Sequence, residues 1–397
     1  MSEISRREET TVIVVGCGTG GLAVIRSLGR RPGFRIIAAS HKKHSVGFFS
    51  KYAAKQVLVP NAVKQEKEFV EFFLERGEEW KGAILLEVTD DAAIALSKHK
   101  KELSEHYHIA TAEWSIVQKF LEKSSLYKLA DECGVPHPKT FTPASREECE
   151  EVANQVAYPC IIKPVYSHEF VGEFGAKMFH ARDAEELLKN LEKCIASRIR
   201  VMVQEVVVGP ESNLERLQVY VNRAGRISSR FFNNKLRQHP PNFGVMRVGT
   251  SMPRNREVEN LSERILTHGN YRGYASVEFK RDCRDGQLKL IEINVRMPRN
   301  GWLAITSGVD FPWIIIQDLL QNESIDVKEY KEGQYWIEIF SELRNLLPRR
   351  GEKWMGLRSL LRPYFAKNRV FAVLSVHDPG PFLFQIRHAI SRTLGLR

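Results

Sequence analysis

The stretch that decides the fold is YASVEFKRDCRDGQLKLIEIN, which runs from Tyr274 to Asn294. Its first half carries Glu278 between apolar residues, and its second half carries Glu292 and Asn294 among leucines and isoleucines. An Asp-Gly pair at 285–286 separates the halves and is typical of a tight hairpin turn. The pattern on either side of this turn predicts two antiparallel strands.

Three polar side chains of this hairpin form a candidate metal site. Glu292 and Asn294 are two residues apart, so on a strand they share a face, and a hairpin can bring Glu278 opposite them. Mg²⁺ prefers oxygen ligands and completes its coordination with water and phosphate oxygens. Acids among apolar residues need a partner or a metal. We therefore predict that Glu278, Glu292 and Asn294 bind Mg²⁺ or Mn²⁺; the alternative is a surface hairpin with solvated acids.

Length and composition indicate a globular protein of two or three domains. Of the 397 residues, 43% are hydrophobic and 27% are charged, which is unlike a disordered chain. The apolar runs are shorter than the roughly 18 residues of a membrane-spanning helix, and the N-terminus is polar, so we expect a cytoplasmic protein. Six scattered cysteines without a metal-type spacing predict free thiols.

The formal net charge of +11 is typical of a protein that binds a polyanion, and equally of one that handles nucleoside triphosphates and anionic substrates. We do not expect nucleic acid as a partner. Much of the excess lies in the last 55 residues, which form a solvated basic face or contact an anionic membrane surface. Within this region, 335–340 predicts a strand, and 382–396 predicts a helix packed on the domain or on a membrane. The basic residues are Arg344, Arg349, Arg350, Lys353, Arg358, Arg362, Lys367, Arg369, Arg387, Arg392 and Arg397.

The N-terminal region begins with an apolar strand at 11–15, the glycine turn GCGTGG at 16–21 and a helical pattern. The glycine spacing satisfies the dinucleotide fingerprint, in which a pyrophosphate lies at a helix N-terminus. However, the next strand, 34–39, ends in SHKKH and lacks the acid that holds the ribose of NAD. Lys42 and Lys43 could instead bind a 2′-phosphate, so an NAD(P)-dependent oxidoreductase remains an alternative.

Element patterns divide the chain into three predicted domains. Strands and helices alternate from the N-terminus, so residues 1–115 predict an open α/β domain. A helix near 115–132, followed by antiparallel strand patterns, makes residues 116–325 an α+β domain. A polar linker lies within 320–332, and residues 326–397 form a basic C-terminal extension. The predicted fold class is therefore α/β plus α+β.

Two lysines and one strand end indicate a nucleotide. Lys163 lies in an apolar strand, where an ammonium needs an anion such as a triphosphate oxygen. Lys123 lies on a predicted helix, where its ammonium either contacts a triphosphate oxygen as well or extends to the surface. The segment Gln204–Glu211 offers strand backbone for an adenine edge, Val207 for its face and Glu211 for the ribose hydroxyls.

Four ordered motifs resemble those of the ATP-grasp superfamily over about residues 122–310. They are an acid–lysine pair opening a helix that ends in Gly-Val-Pro, a Tyr-Pro-x-Ile-Ile-Lys-Pro strand, a hinge with a ribose acid, and Glu-x-Asn-x-Arg with an upstream acid. In this sequence they are Glu122-Lys123 with Gly134-Val135-Pro136, Tyr158–Pro164, Gln204–Val207 with Gly209 and Glu211, and Glu292–Arg296 with Glu278.

The resemblance implies an ATP-grasp fold with an N-terminal open Rossmann-like (pre-ATP-grasp) domain. It also implies an ATP- and Mg²⁺-dependent ligase that activates a substrate carboxylate as an acylphosphate and joins it to an amine. The partners would be small-molecule carboxylate and amine substrates, and we also consider a homodimer. In this family the glycine turn at 16–21 would face the acceptor substrate. The alternative is an ATP-binding regulator or scaffold that keeps the fold without ligation.

The resemblance assigns roles to individual residues. Arg296 would stabilise the transferring phosphoryl group. Lys235 and Arg237 would bind a carboxylate or acylphosphate. The stretch that contains them resembles the D-aspartate-ligase-like and carbamoyl-phosphate-synthase-like branch of the family; the alternative is a basic strand with exposed charge. The nucleotide ligands would be Lys123, Lys163, Gln204, Glu205, Val207 and Glu211, and the metal ligands Glu278, Glu292 and Asn294.

Two features depart from the family pattern. The lid expected to cover the phosphates, residues 165–177, contains only Gly172 and Gly175. Arg299, which follows the metal motif, has no family assignment.

Overall fold

A computed structural model describes residues 9–164, 170, 173–176, 178–239, 244–321, 323–342 and 357–393. The lid predicted over 165–177 lies mostly outside these residues. The chain packs as two compact units. The larger unit takes its residues from 1–133, 214–278 and 292–397, and the smaller unit is 134–213 with 279–291. The three-domain division remains a prediction.

The larger unit opens with a parallel sheet of strand order β3-β2-β1-β4-β5. Alternate residues of β1 enter two different cores, since Val12 and Val14 pack with one cluster and Ile13 and Val15 with another. Both faces of the sheet are therefore covered, which is why its strands read as continuous apolar runs. The predicted open α/β architecture is confirmed. The strands are β1 (Thr10–Val15), β2 (Phe34–Ser40), β3 (Lys55–Leu58), β4 (Ile84–Glu87) and β5 (His108–Ile109).

The helices of this N-terminal part include the predicted one after the glycine turn. The prediction of a single helix near 115–132 is wrong, because the chain forms two helices with Glu122 in an extended conformation between them. Lys123 is consequently the first residue of the second one. The helices are α1 (Thr19–Gly29), α2 (Glu66–Leu74), α3 (Asp90–Lys98), α4 (Lys100–Leu103), α5 (Trp114–Leu121) and α6 (Lys123–Glu132).

The smaller unit contains an antiparallel sheet of order β6-β9-β7-β8 and the helices named below. Cys160, Ile162 and Val203 join the helices in its core, so the side chains of Lys163 and Gln204 point to the other face of the sheet. Its elements are β6 (Thr140–Phe141), α7 (Arg146–Gln155), β7 (Cys160–Pro164), β8 (Phe179–Ala181), α8 (Ala184–Ala196) and β9 (Val201–Glu205).

A third sheet has the strand order β14-β13-β10-β11-β12-β15-β16. Its strands are β10 (Leu214–Val221), β11 (Ile227–His239), β12 (Val245–Ser251), β13 (Gly273–Arg281), β14 (Leu288–Asn294), β15 (Tyr335–Ile337) and β16 (Arg369–Phe371). The predicted hairpin is confirmed, because β13 and β14 are neighbours and Gly286 has φ +74° in their turn.

Helices α9 to α14 complete the described residues. The strand predicted over 335–340 ends at Ile337, and a short helix follows it. The terminal helix begins at Gly380 and is described to Thr393, so residues 394–396 of the predicted helix lie outside the described chain. The helices are α9 (Arg256–His268), α10 (Gly301–Ser307), α11 (Phe311–Gln321), α12 (Ile339–Glu342), α13 (Leu357–Phe365) and α14 (Gly380–Thr393).

The cysteines and the lengths of the helices bear on two of the predictions. All six cysteines are free thiols, as predicted. In the described chain, no single helix has the length and apolar character needed to cross a membrane; only α10 and α11 taken together do, and they meet at an 82° bend.

Candidate active site

The smaller unit brings two predicted nucleotide ligands together on adjacent strands. Lys163 Nζ lies 3.1 Å from Gln204 Oε1, and Gln204 Nε2 donates to Thr140 Oγ1 over 2.8 Å. Their strands β7 and β9 are antiparallel, with Ile161 opposite Gln204. Because an ammonium and an amide share this face, the sheet presents hydrogen-bond donors that suit phosphate oxygens.

The predicted ligand Glu205 holds this hinge in place through its side chain. Its Oε1 accepts from the backbone N–H of Lys139 at 3.0 Å and from Lys289 Nζ at 3.2 Å. Lys289 Nζ also lies 3.1 Å from Asp282 Oδ2, and the hydrogen bond from Arg284 holds the pKa of Asp282 well below its usual range. The buried Glu205 carboxylate is thus paired with groups that hold the hinge, and its role as a nucleotide ligand stays a prediction.

In the hinge backbone after Glu205, the buried Val207 has polar groups that no described residue pairs. The carbonyls of Val206 and Val208 accept hydrogen bonds from Arg284 Nη2 at 3.1 Å and Cys283 N at 2.8 Å. Between them, Val207 is buried, and its N–H and C=O make no hydrogen bond with any described residue. Buried backbone groups are almost always paired, so this segment is suited to a ligand with a donor and acceptor edge. Glu211 follows in a short helical turn, Glu211–Asn213.

In the larger unit, Glu278 lies beside two cations. Arg216 Nε lies 3.1 Å from Glu278 Oε2, and Lys235 Nζ lies 3.4 Å from Glu278 Oε1. Burial alone would raise the pKa of Glu278, but the charges of Arg216 and Lys235 outweigh burial and lower it. Arg216 was missed at the sequence level, although a charged residue in the apolar strand β10 is the same signal that singled out Lys163.

Glu292 and Asn294 share a face of β14, as the two-residue spacing predicts. Asn294 Nδ2 donates to Glu292 Oε1 at 3.0 Å, which turns the Asn294 Oδ1 away from that carboxylate. The donor set of two carboxylates and one amide oxygen fits a hard cation such as Mg²⁺. Among the described residues, no group of three or more His, Cys, Asp and Glu could hold a metal ion.

The other predicted cations have different surroundings. Lys123 makes no ion pair with any described residue. Arg237 is buried and pairs with Glu342, and its Nη2 lies 3.4 Å from the carbonyl of Leu360, so its surroundings differ from those of Lys235. The reason is a β-bulge, since Lys235 pairs with Gly249 and Arg237 with Val248, which leaves one extra residue on β11.

Arg296 belongs to a cavity of about 540 Å³ in the larger unit. Its Nε and Nη2 each lie 3.0 Å from an oxygen of Asp90, the first residue of α3. The cavity is lined by the glycine turn, the segment after β2, the start of α3 and residues from the C-terminal part, including Gly16, Gly18, Gly20, His41, Lys42, His44, Asp90, Asp91, Arg296, Arg299, Glu338, Phe340 and Gln385.

Arg299 is a second arginine of this cavity. It is exposed to the cavity and makes no hydrogen bond or ion pair with any residue in the described part of the chain. Protein atoms crowd it, and this burial, with the neighbouring Arg247, lowers its pKa from the usual value. Arg247 itself is neutralised, because its Nη1 lies 3.1 Å from Glu338 Oε2. Arg299 is therefore available for an anionic ligand.

Close packing explains two of the glycines that form the turn. A Cβ on Gly20 would lie 2.9 Å from the carbonyl oxygen of Pro298, and one on Gly21 would lie 2.0 Å from that of Gly16. Helix α1 has Gly18 at its N-cap and no acid in its first turn. Its N–H groups therefore open toward the cavity without a side-chain cap, which favours an anion there.

Comparisons with known proteins identify the fold. No protein-family model matches the chain. The chain is 25% identical over 262 residues to D-aspartate ligase from Enterococcus faecium, covering 63% of this chain and 62% of that protein. The match thus spans less than two thirds of the curated relative.

Solved structures agree on the architecture. Biotin carboxylase from Campylobacter jejuni superimposes with a TM-score of 0.65 and 15% identity over 83% of this chain and 74% of that one. N5-carboxyaminoimidazole synthetase from Staphylococcus aureus, complexed with ADP, superimposes with a TM-score of 0.64 and 14% identity, and the match covers 86% of this chain and 85% of that one. These are ATP-grasp structures, so the predicted fold is confirmed.

Proposed function

We propose that this chain, which belongs to the ATP-grasp superfamily, is an ATP- and Mg²⁺-dependent carboxylate–amine ligase that releases ADP and phosphate. The observation that carries the proposal is the set of oxygen donors Glu278, Glu292 and Asn294 on the paired strands β13 and β14. The relation to D-aspartate ligase supports the same reaction class.

The nucleotide would be held by its base, ribose and phosphates. The unpaired backbone of Val207 suits the adenine edge, and Glu211 the ribose hydroxyls. Lys163, Gln204 and Lys123 supply donors for phosphate oxygens, and Glu205 keeps the hinge in shape. Bound Mg²⁺ would neutralise the phosphate charge that develops during transfer.

The reaction proceeds in two steps. A carboxylate oxygen of the substrate attacks the γ-phosphorus, and the bond to the bridging oxygen breaks, so ADP leaves. The amine nitrogen then attacks the acyl carbon, inorganic phosphate leaves, and a proton is lost from nitrogen to give the amide. Arg296 and Lys235 stabilise the negative charge of these states, and Arg237 remains a predicted catalytic residue. The protein thus contributes positioning and charge neutralisation, with no covalent protein intermediate.

The cavity at the glycine turn suits the substrate. It offers Arg299 and the N-terminus of α1 to an anionic group, and the carboxylate of Asp91 to an ammonium. A small molecule with both charges meets these groups best. The cytoplasmic location, the homodimer and a contact between the basic C-terminus and an anionic membrane surface are part of the proposal.

The test is phosphate release in a panel of amino acids, small carboxylates and amines with ATP and Mg²⁺. Release should require both a carboxylate and an amine, and Glu292→Ala should reduce it about 100-fold or more. Glu68→Ala, at an exposed position of α2, is the matched control and should leave the rate unchanged.

Three outcomes would contradict the proposal. Normal turnover of Glu292→Ala would remove the site assignment. ATP binding without release across the panel would favour the regulator or scaffold. Thermal protection by NAD(P) with none by ATP would favour the oxidoreductase.

A further inference from the structure

The C-terminal segment is fixed to the glycine-turn helix by a fully buried ion pair. Arg26 of α1 places Nε 2.9 Å from Asp378 Oδ2, and neither side chain is exposed. Arg26 Nη2 also donates to the carbonyl of Val373 at 2.7 Å. Ser50 Oγ and the backbone N–H of Lys51 donate to the same carboxylate at 2.8 and 2.9 Å. These hydrogen bonds compensate the burial of the ion pair, although Arg26 Nη1 has no hydrogen-bond partner among the described residues.

Helix α14, which follows Asp378, packs on the short helical turn at 46–49. The rings of Phe384 and Phe49 stack with centroids 3.7 Å apart, and those of His388 and His44 lie 5.0 Å apart. A Cβ on Gly380 would lie 2.3 Å from the carbonyl oxygen of Phe49, so the helix start is in close contact. One face of α14 is therefore fixed against the wall of the cavity.

That same face places Gln385 in the cavity. Gln385 is half-buried and lines the cavity together with Phe340, the glycine turn and Arg299. Its amide makes no hydrogen bond with any residue that the structure describes. Its N–H and C=O groups are therefore available to a ligand as a hydrogen-bond donor and an acceptor.

We propose that α14 closes the substrate cavity and that Gln385 is a specificity-determining residue. Its amide hydrogen-bonds to a polar group of the substrate while Arg299 binds an anionic group, carboxylate or phosphate, of the same molecule. A compound with an anion and a second hydrogen-bonding group at the right separation is selected over a simple monoanion. This inference rests on the proposed function for the identity of the cavity as a substrate site.

The experiment compares wild type with Gln385→Leu, which keeps a side chain of comparable volume and removes the hydrogen bonds. With the substrate that the phosphate-release panel identifies, Gln385→Leu should raise the KM of that substrate about tenfold and leave the KM of ATP unchanged. Gln385→Glu should restore the low KM of substrates that donate a hydrogen bond at this position. Arg387→Gln, at an exposed position of the same helix, is the control and should change neither constant. Unchanged substrate KM and ranking in Gln385→Leu would overturn the inference.

Calorimetric binding of the same panel without ATP separates the two proposals. A compound that binds wild type, and binds Gln385→Leu and Arg299→Gln about tenfold more weakly, supports the inference even if no phosphate is released. Binding that both variants leave unchanged, or no binding to wild type by any compound, overturns it. Thermal unfolding of each variant serves as the control for folding, because a variant that is folded but binds weakly has lost binding alone.

Discussion

At the scale of single residues, the buried carboxylate of Glu278 and its two cations decide how this part of the site is stabilised. Arg216 contacts Glu278 from β10, and Lys235 contacts it from β11. The folded pKa of Glu278 lies below its unfolded value. Its contribution to stability is therefore fully present above the unfolded pKa and is lost as the pH falls toward the folded one.

Replacing Arg216 by Met should leave the Glu278 carboxylate buried with less compensation and lower the free energy of unfolding by about 3 kcal/mol. At acidic pH the loss should shrink, because protonation of Glu278 in the variant removes the uncompensated charge. Urea unfolding at neutral and acidic pH measures both effects. The double variant Arg216→Met/Glu278→Gln should recover most of the loss, whereas an additive double variant would contradict the pairing.

Glu87, at the end of β4, behaves in the opposite way. Its carboxyl is buried, Oε2 makes no hydrogen bond with any described residue, and burial raises the pKa of Glu87 to about 8. The folded state thus keeps a proton that the unfolded state releases, so stability falls by about 1.4 kcal/mol per pH unit between the two pKa values. Glu87→Gln should flatten this decline, and its stability advantage over wild type should grow from pH 5 to pH 8. Parallel pH profiles of unfolding for the two proteins would contradict the assignment.

At the scale of elements, the glycine turn depends on the absence of a side chain at one position. In Gly21→Ala the new Cβ would lie 2.0 Å from the carbonyl oxygen of Gly16. The variant should lose roughly 1–3 kcal/mol of stability and bind cavity ligands more weakly. Gly18→Ala is the control, because nothing lies within 4 Å of its Cβ, and it should cost less than about 1 kcal/mol. Equal melting temperatures for the two variants would contradict this account of the turn.

Element patterns predicted most strands and the hairpin, because a period of two residues and a turn dipeptide are local signals. Glu292 and Asn294 share a face for the same reason. The different surroundings of Lys235 and Arg237 could not be predicted, since they follow from a bulge set by register with β12. The break at Glu122 between α5 and α6 also lacked a local signal, because no proline or glycine marks it.

At the scale of the whole molecule, the sequence predicted the fold through ordered motifs, but it gave the C-terminal part no role in the site. The role of Gln385 depends on Asp378 meeting Arg26, and these residues are 352 positions apart in the chain. No periodicity connects such distant positions. Arg299 was left without a role for a related reason, because the cavity that surrounds it is lined by several distant segments.

The charge of the C-terminal region leads to the last prediction. Eleven Lys and Arg but only two acids lie in the last 55 residues, and one of those acids, Asp378, is buried against Arg26. On the outer side of α14, Leu383 and Ile390 are 55% and 52% exposed, with the exposed Arg387 between them. An apolar stripe with basic residues suits an anionic lipid surface.

The protein should therefore sediment with vesicles of phosphatidylcholine and phosphatidylglycerol, but not with phosphatidylcholine alone, and high salt should release it. Arg387→Gln should weaken binding about fivefold, in line with about 1 kcal/mol per basic residue at such a surface. Leu383→Ser/Ile390→Ser should weaken it further, because apolar burial is lost as well. Leu58→Ser, which changes a residue 49% exposed on β3, is the matched control and should bind as wild type does. Equal sedimentation with both lipid mixtures, or unchanged binding by the α14 variants, would show that this stripe is a solvated face of the helix.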